Sequence, residues 1–267
     1  MQPRVLILRA PGTNCDAETA YAFQQAGGQA VILHVRRMLE APRLLNDFQV
    51  LCVPGGFSYG DDIASGRILG VQLQHYLSDA LRQFKSAGKL ILGICNGFQA
   101  IVKCGLLDDS DTQIGPQATL AWNLSGKFEH RWVKLGVDGN RCVFLAGIER
   151  MYLPVKHGEG RFVARDEHTL AKLLREGRLP LRYLPLHNSG VAREKIAFDQ
   201  SVPYPDNPNG AQANVAGMCD ATGHVFGLMP HPELHIDPTQ HPHWTRGESG
   251  EVSDGLRLFQ NAVQFFR

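Results

Sequence analysis

Leu90-Ile91-Leu92-Gly93-Ile94-Cys95-Asn96-Gly97-Phe98-Gln99 is the stretch that decides the architecture of this 267-residue chain. Its first five residues form a short apolar run of the kind buried on both faces of a parallel sheet. The residues from Asn96 to Lys103 read as a helix, so a strand turns directly into a helix with Cys95 at the apex. Glycines two residues to either side fit that turn. A side chain at 93 or 97 would crowd the elbow and the packing of helix on strand. A sulfur at a helix start also feels unpaired backbone N–H groups, which favour the thiolate. Cys95 is therefore the candidate nucleophile, weighed against the plainer reading of a buried structural cysteine.

Working outward, Val5-Leu6-Ile7-Leu8, Ala30-Val31-Ile32-Leu33 and Val50-Leu51-Cys52-Val53 are further apolar runs of strand length. A helix is expected after the first, capped by Thr13 or Asn14, acidic at Asp16 and Glu18, and closed by Gly27-Gly28. Other helical segments are expected near 37–46, 66–87 and 96–104. Strands alternating with helices at this spacing predict an α/β, doubly wound, mostly parallel sheet with helices on both faces. The second half changes texture. Residues 118–163 read as an added antiparallel section, with turns at Asp138-Gly139-Asn140 and near Gly158. Strands are expected at 213–218 and 224–229, a surface excursion over 237–250, and a final amphipathic helix over about 254–266. No repeat or linker interrupts the chain, so 1–267 reads as one domain.

Composition narrows the function classes. The hydrophobic fraction of 43% and charged fraction of 20% are ordinary for a soluble globular protein. A net charge of +1 gives no reason to expect nucleic acid or an anionic membrane surface as partner. The six cysteines include no C-x-x-C pair, so neither a zinc ribbon nor a disulfide framework is legible. The start runs straight into a strand-like segment without a signal-peptide pattern, and no apolar stretch approaches the ~20 residues that span a bilayer. A cytoplasmic protein with reduced thiols is expected.

A nucleophilic thiol needs a base, and the base needs an orienting group. Met229-Pro230-His231-Pro232-Glu233 offers both. The two prolines argue against helix here, and in an extended chain residues two apart face the same side. His231 and Glu233 can then meet. Pro54-Gly55-Gly56-Phe57 ends a parallel strand, where open α/β sheets place their sites. Backbone N–H groups of Gly56 (or Phe57) and of Asn96 are candidates for holding an oxyanion. Gln99, one helical turn after Cys95, is a candidate substrate-binding residue.

Cys15, in Gly12-Thr13-Asn14-Cys15-Asp16, is the rival nucleophile, but it lacks flanking glycines on both sides and Asp16 would disfavour a thiolate. His235, His241 and His243 match no metal-ligand spacing, so no metal site is expected.

Joined together, Gly93-Ile94-Cys95-Asn96-Gly97-Phe98-Gln99, Pro54-Gly55-Gly56-Phe57 and His231-Pro232-Glu233 make the chain resemble the class I, triad-type glutamine amidotransferases. Gly12–Asp16, the run from Pro54 to Asp62, His157-Gly158-Glu159-Gly160 and Asn207-Pro208-Asn209-Gly210 narrow the likeness. Within that family the chain resembles the glutaminase subunits of phosphoribosylformylglycinamidine synthase. Asn123–Trp132 is also similar to the amidotransferase domain fused to the large single-chain synthases.

The resemblance implies a flavodoxin-like sheet and a Cys95–His231–Glu233 triad that hydrolyses glutamine to glutamate and ammonia. The ammonia passes to a formylglycinamide ribonucleotide synthetase large subunit, with room for a small accessory subunit, in purine biosynthesis. ATP and magnesium belong to that partner, leaving no cofactor in this chain, which carries no Walker-type loop. The alternatives are a related triad glutaminase serving another synthetase, a cysteine hydrolase or peptidase on the same sheet, and a non-catalytic module.

Overall fold

The structure, a computed structural model, describes residues 2–108, 115–186, 198–246 and 253–267. Its centre is a nine-stranded sheet in the order β2-β1-β3-β4-β11-β10-β9-β6-β7. β1 (Arg4–Arg9), β2 (Gln29–His34), β3 (Val50–Val53), β4 (Leu90–Ile94) and β11 (Val225–Leu228) pair in parallel. Every residue of β3, β4 and β11 is buried, as strands covered by helices on both faces require. β10 (Val215–Cys219), β9 (Leu181–Leu184), β6 (Glu129–Val137) and β7 (Arg150–His157) continue the sheet with antiparallel pairings. The doubly wound expectation holds, with a large antiparallel extension.

Helices cover the parallel half. α1 (Asp16–Gln25) packs on α7 (Asp254–Gln264), where Phe23 meets Phe259 edge-on at 4.9 Å between ring centroids. α3 (Arg67–Tyr76) packs on α5 (Asn96–Lys103). α7 buries Leu258, Phe259 and Val263, the stripe its spacing predicts.

Several boundaries differ from expectation for identifiable reasons. The segment near 37–46 splits into α2 (Val35–Glu40) and a 3₁₀ turn, Pro42–Asp47, because proline cannot continue a helix. The 66–87 segment breaks at Leu77 into α3 and α4 (Ser78–Ser86), the second starting at Ser78-Asp79, residue types that favour helix starts. α1 begins after Cys15, later than expected, because the Thr13 hydroxyl accepts from Ala10 N–H instead of capping the helix.

In the antiparallel section, Gly158 joins strands of two different sheets. β7 pairs with β6, whereas β8 (Glu159–Ala164) forms a separate two-stranded sheet with β5 (Ala118–Trp122). Asp138 opens a longer connection through a 3₁₀ turn at Val143–Leu145. α6 (Glu167–Arg175), capped by the Asp166 carboxylate on Thr169 N–H at 2.7 Å, and β9 had no counterpart in the sequence reading.

Part of the 237–250 excursion lies outside the described residues. The rest carries short 3₁₀ turns at Pro238–Gln240 and Trp244–Arg246. His235 and His241 are buried there against Trp132 and Tyr152. Among the described residues no helix is long and apolar enough to cross a membrane.

Candidate active site

Strand order builds the site. β4 lies between β3 and β11, so the loops that follow these three strands meet at one sheet edge. Ile94 is in register with Leu228, and Cys95 N–H donates to the Leu228 carbonyl at 2.8 Å. The thiol after β4 and the histidine after β11 are thereby neighbours, although 136 positions (231 − 95) separate them in sequence.

Cys95 occupies φ 50°, ψ −104°, a strained conformation for a residue with a side chain, and its backbone carbonyl accepts the Gln99 N–H of α5. The flanking glycines are steric requirements. A Cβ at Gly97 would lie 1.8 Å from the Val53 carbonyl oxygen, and one at Gly93 would lie 2.7 Å from Ile101 Cδ1. The side chain of Cys95 is buried, and its thiol points a weak contact, 3.5 Å, at the Lys156 carbonyl.

His231 and Glu233 meet as expected, with Nδ1 and Oε1 2.7 Å apart and both side chains buried. The route differs. His231 is extended, but Pro232–Leu234 is a 3₁₀ turn whose proline sits at the first position, where its missing N–H is not needed. Burial opposes charge on the imidazole. Attraction to Glu233, with contributions from Cys95 and Cys15, outweighs that and raises its pKa well above the ordinary value. Nε2 of His231 has no hydrogen-bond partner. A charged, oriented imidazole with one unengaged nitrogen beside a buried thiol is suited to moving a proton at the nucleophile.

Of the two oxyanion candidates after β3, Phe57 N–H is already engaged by the Gly12 carbonyl at 2.9 Å, which leaves Gly56. Asn96 contributes the first backbone N–H of α5, while its side chain is tied to Ser58 N–H (3.0 Å), Asp61 (2.8 Å) and Gln99 (3.0 Å). Gln99 is buried rather than solvated. Its amide accepts from Asn96 and donates to the Glu159 carbonyl, which leaves one N–H and one lone pair of the amide for any further contact.

Cys15 is the surprise. It stands at the start of α1, half-buried, and reaches His231 across the loop after β3. Gly55 permits this: a Cβ there would lie 2.8 Å from His231 Cε1 and 3.5 Å from Cys15 Sγ. Burial is the main cause of its raised pKa, with Glu233 adding to it; Asp16 is instead paired with Arg9.

The sequence reading missed the polar frame around α5. Asp61 accepts from Asn96 and from Ser65 Oγ (2.9 Å), while Glu159 accepts from Ser65 N–H (3.3 Å). His157 is fully buried and held neutral, its pKa pushed down to about 3 by burial and by the charge of His231. Both acidic residues lie in quoted motifs, 54–62 and 157–160, which was the available signal. The rings of His235, His241 and His243 pack against one another edge-on or tilted, with centroids 5.7–6.0 Å apart, and His235 Nδ1 bonds the Tyr152 carbonyl.

The profile of the CobB/CobQ-like glutamine amidotransferase domain matches residues 2–266. The chain belongs to this amidotransferase family. Among its relatives, "Phosphoribosylformylglycinamidine synthase subunit PurQ" of Dehalococcoides mccartyi is 43% identical over 99% of this chain and 98% of its own. The protein of the same name from Methanococcus maripaludis is 37% identical over 99% of this chain and 97% of its own. Among solved structures, a chain of "PurLQS from Thermotoga maritima" matches with a TM-score of 0.73 and 29% identity, covering 100% of both chains. Family membership and fold therefore agree with the elbow, the His–Glu pair and the strand order.

Proposed function

We propose that this chain is the glutaminase subunit of phosphoribosylformylglycinamidine synthase, and that Cys95, His231 and Glu233 perform its chemistry. The observation that carries the proposal is the buried His231–Glu233 pair, 2.7 Å apart, in the loop that follows the strand beside the Cys95 elbow. Relatives of that name, alike over nearly their full length, support the substrate and pathway. The Cys95 thiolate attacks the side-chain amide carbon of glutamine. Charge developing on the carbonyl oxygen is met by the N–H groups of Gly56 and Asn96. The imidazolium of His231 gives its proton to the leaving nitrogen, so ammonia departs and a γ-glutamyl thioester remains. Water, deprotonated by the same imidazole, then releases glutamate and restores the thiol. Glu233 holds the imidazole in place and stabilises its cation throughout.

The ammonia is consumed by a synthetase partner that uses ATP and magnesium to turn formylglycinamide ribonucleotide into its amidine, in the cytoplasm. The test is glutamate release by this chain with and without that synthetase, its ribonucleotide, ATP and magnesium. Stimulation by the full set is expected. Glutaminase activity indifferent to the synthetase would remove the partner from the proposal, and absence of glutamate under every condition would remove the glutaminase.

A further inference from the structure

The reaction above makes no use of Cys15, yet its sulfur lies in the same site. Cys15 Sγ, an imidazole nitrogen of His231 and a carboxylate oxygen of Glu233 all lie within 4.8 Å of one another. This is the one such trio of potential metal ligands found among the described residues. His231 and Glu233 are 2% and 1% exposed, and Nε2 of the one and Oε2 of the other have no hydrogen-bond partner. A buried polar atom without a hydrogen-bond partner is open to a ligand that supplies one.

Thiolate, imidazole and carboxylate are together the donor set of zinc, which takes them at about 2.3, 2.0 and 2.1 Å. Tetrahedral geometry at those lengths puts donors roughly 3.5 Å apart. His231 and Glu233 already touch, with Nδ1 and Oε1 2.7 Å apart, so this pair would open slightly around an ion and the closing movement falls to the Cys15 sulfur. Cys15 can supply that movement. It is half-buried at a helix start, and below it Gly55 presents no side chain to obstruct the approach. Burial keeps the Cys15 thiol protonated in the free protein, and a bound divalent ion displaces that proton to solvent.

We propose that Cys15, His231 and Glu233 form a binding site for a thiophilic divalent cation such as zinc, and that its occupancy shuts off the site by taking the imidazole away from Cys95. Three protein ligands leave a fourth position for water. The binding step stands on the side chains alone; its consequence for turnover rests on the glutaminase reading.

The direct test uses the full chain as Cys95→Ala, which has neither the nucleophile nor turnover, stripped of metal and titrated with cobalt(II). One equivalent should bind with a thiolate-to-cobalt charge-transfer absorption, and zinc should displace it. Adding Cys15→Ser should abolish that absorption and weaken binding by at least about tenfold, the least expected for loss of a ligand. A charge-transfer band that survives Cys15→Ser, or none with Cys15 present, overturns the site. A second measurement leaves Cys15 unmutated: saturating zinc should protect it from alkylation in the Cys95→Ala chain, read by mass spectrometry. Full alkylation under zinc also overturns the site. In the unmodified chain, zinc should inhibit glutamate release and a chelator should restore it. Binding without inhibition would retain the site and overturn its effect on turnover. A chain that binds zinc but never releases glutamate would contradict the glutaminase reading and leave the metal site standing.

Discussion

Two turns of this molecule each present a thiol to the same histidine, and they are built differently. Cys95 follows β4 and Cys15 lies in the loop after β1; both immediately precede helices, α5 and α1. Both sulfurs act on the charge of His231. At Cys95 the backbone is held at φ 50°, ψ −104°, whereas Cys15 sits relaxed at φ −108°, ψ 16°. Two residues beyond Cys95, Gly97 is pressed against the Val53 carbonyl; two beyond Cys15, Ala17 is exposed. Nearness to a base therefore does not by itself separate the proposed nucleophile from the second thiol. The difference lies in the strained turn, which only close packing of α5 on β3 and β4 maintains.

The sharpest way to break this comparison is to exchange the thiols' fates. Cys95→Ala should lower glutamine hydrolysis by about 10⁴-fold or more, while the partnered enzyme still uses free ammonia. Glutamate release surviving in that variant would pass the nucleophile's role to Cys15. Next in size is Glu233→Gln, expected to lower kcat by about 10³-fold, because the imidazole loses the group that holds its orientation and its charge. The sign is fixed by the carboxylate: without it the pKa of His231 falls, which an NMR titration of its ring would register. A ring that titrates unchanged would mean that Glu233 is not what raises it.

The parts of this molecule that were legible in sequence are those specified locally. Buried parallel strands need apolar runs, and the elbow needs glycines at fixed offsets, so β1 to β4, α5 and Cys95 could be placed directly. His231 and Glu233 are two residues apart, and their pairing was readable even though the intervening backbone is a 3₁₀ turn rather than extended. What stayed hidden depends on distant pairing. β6 joins β9, as with Lys134 opposite Leu184, across about fifty residues, and nothing local chooses that partner. The frame around α5 is hidden for the same reason, since Asp61 reaches Asn96 and Gln99 reaches Glu159 from 35 and 60 positions away. Cys15 is the most instructive case. Its motif could be seen, but its contact with His231 spans the loop after β3 and exists only because residue 55 has no side chain.

Gly97→Ala tests the packing half of the contrast. A Cβ 1.8 Å from a backbone oxygen cannot be relieved by a rotamer change, so α5 must shift from β3, at about 3 kcal/mol of stability in denaturant unfolding. The matching change beyond the other thiol, Ala17→Ser, lies on an exposed helix surface and should stay within about 0.5 kcal/mol. Equal losses at the two positions would remove the mechanical distinction between the turns.

The smallest expected effect is also the most discriminating. Cys15→Ser should change kcat for glutamine by less than about tenfold, since Glu233 contributes more than Cys15 to holding charge on His231. A loss approaching that of Cys95→Ala, with folding intact by circular dichroism, would mean that the base needs both thiols. The two turns would then be one catalytic unit rather than an active turn and its neighbour.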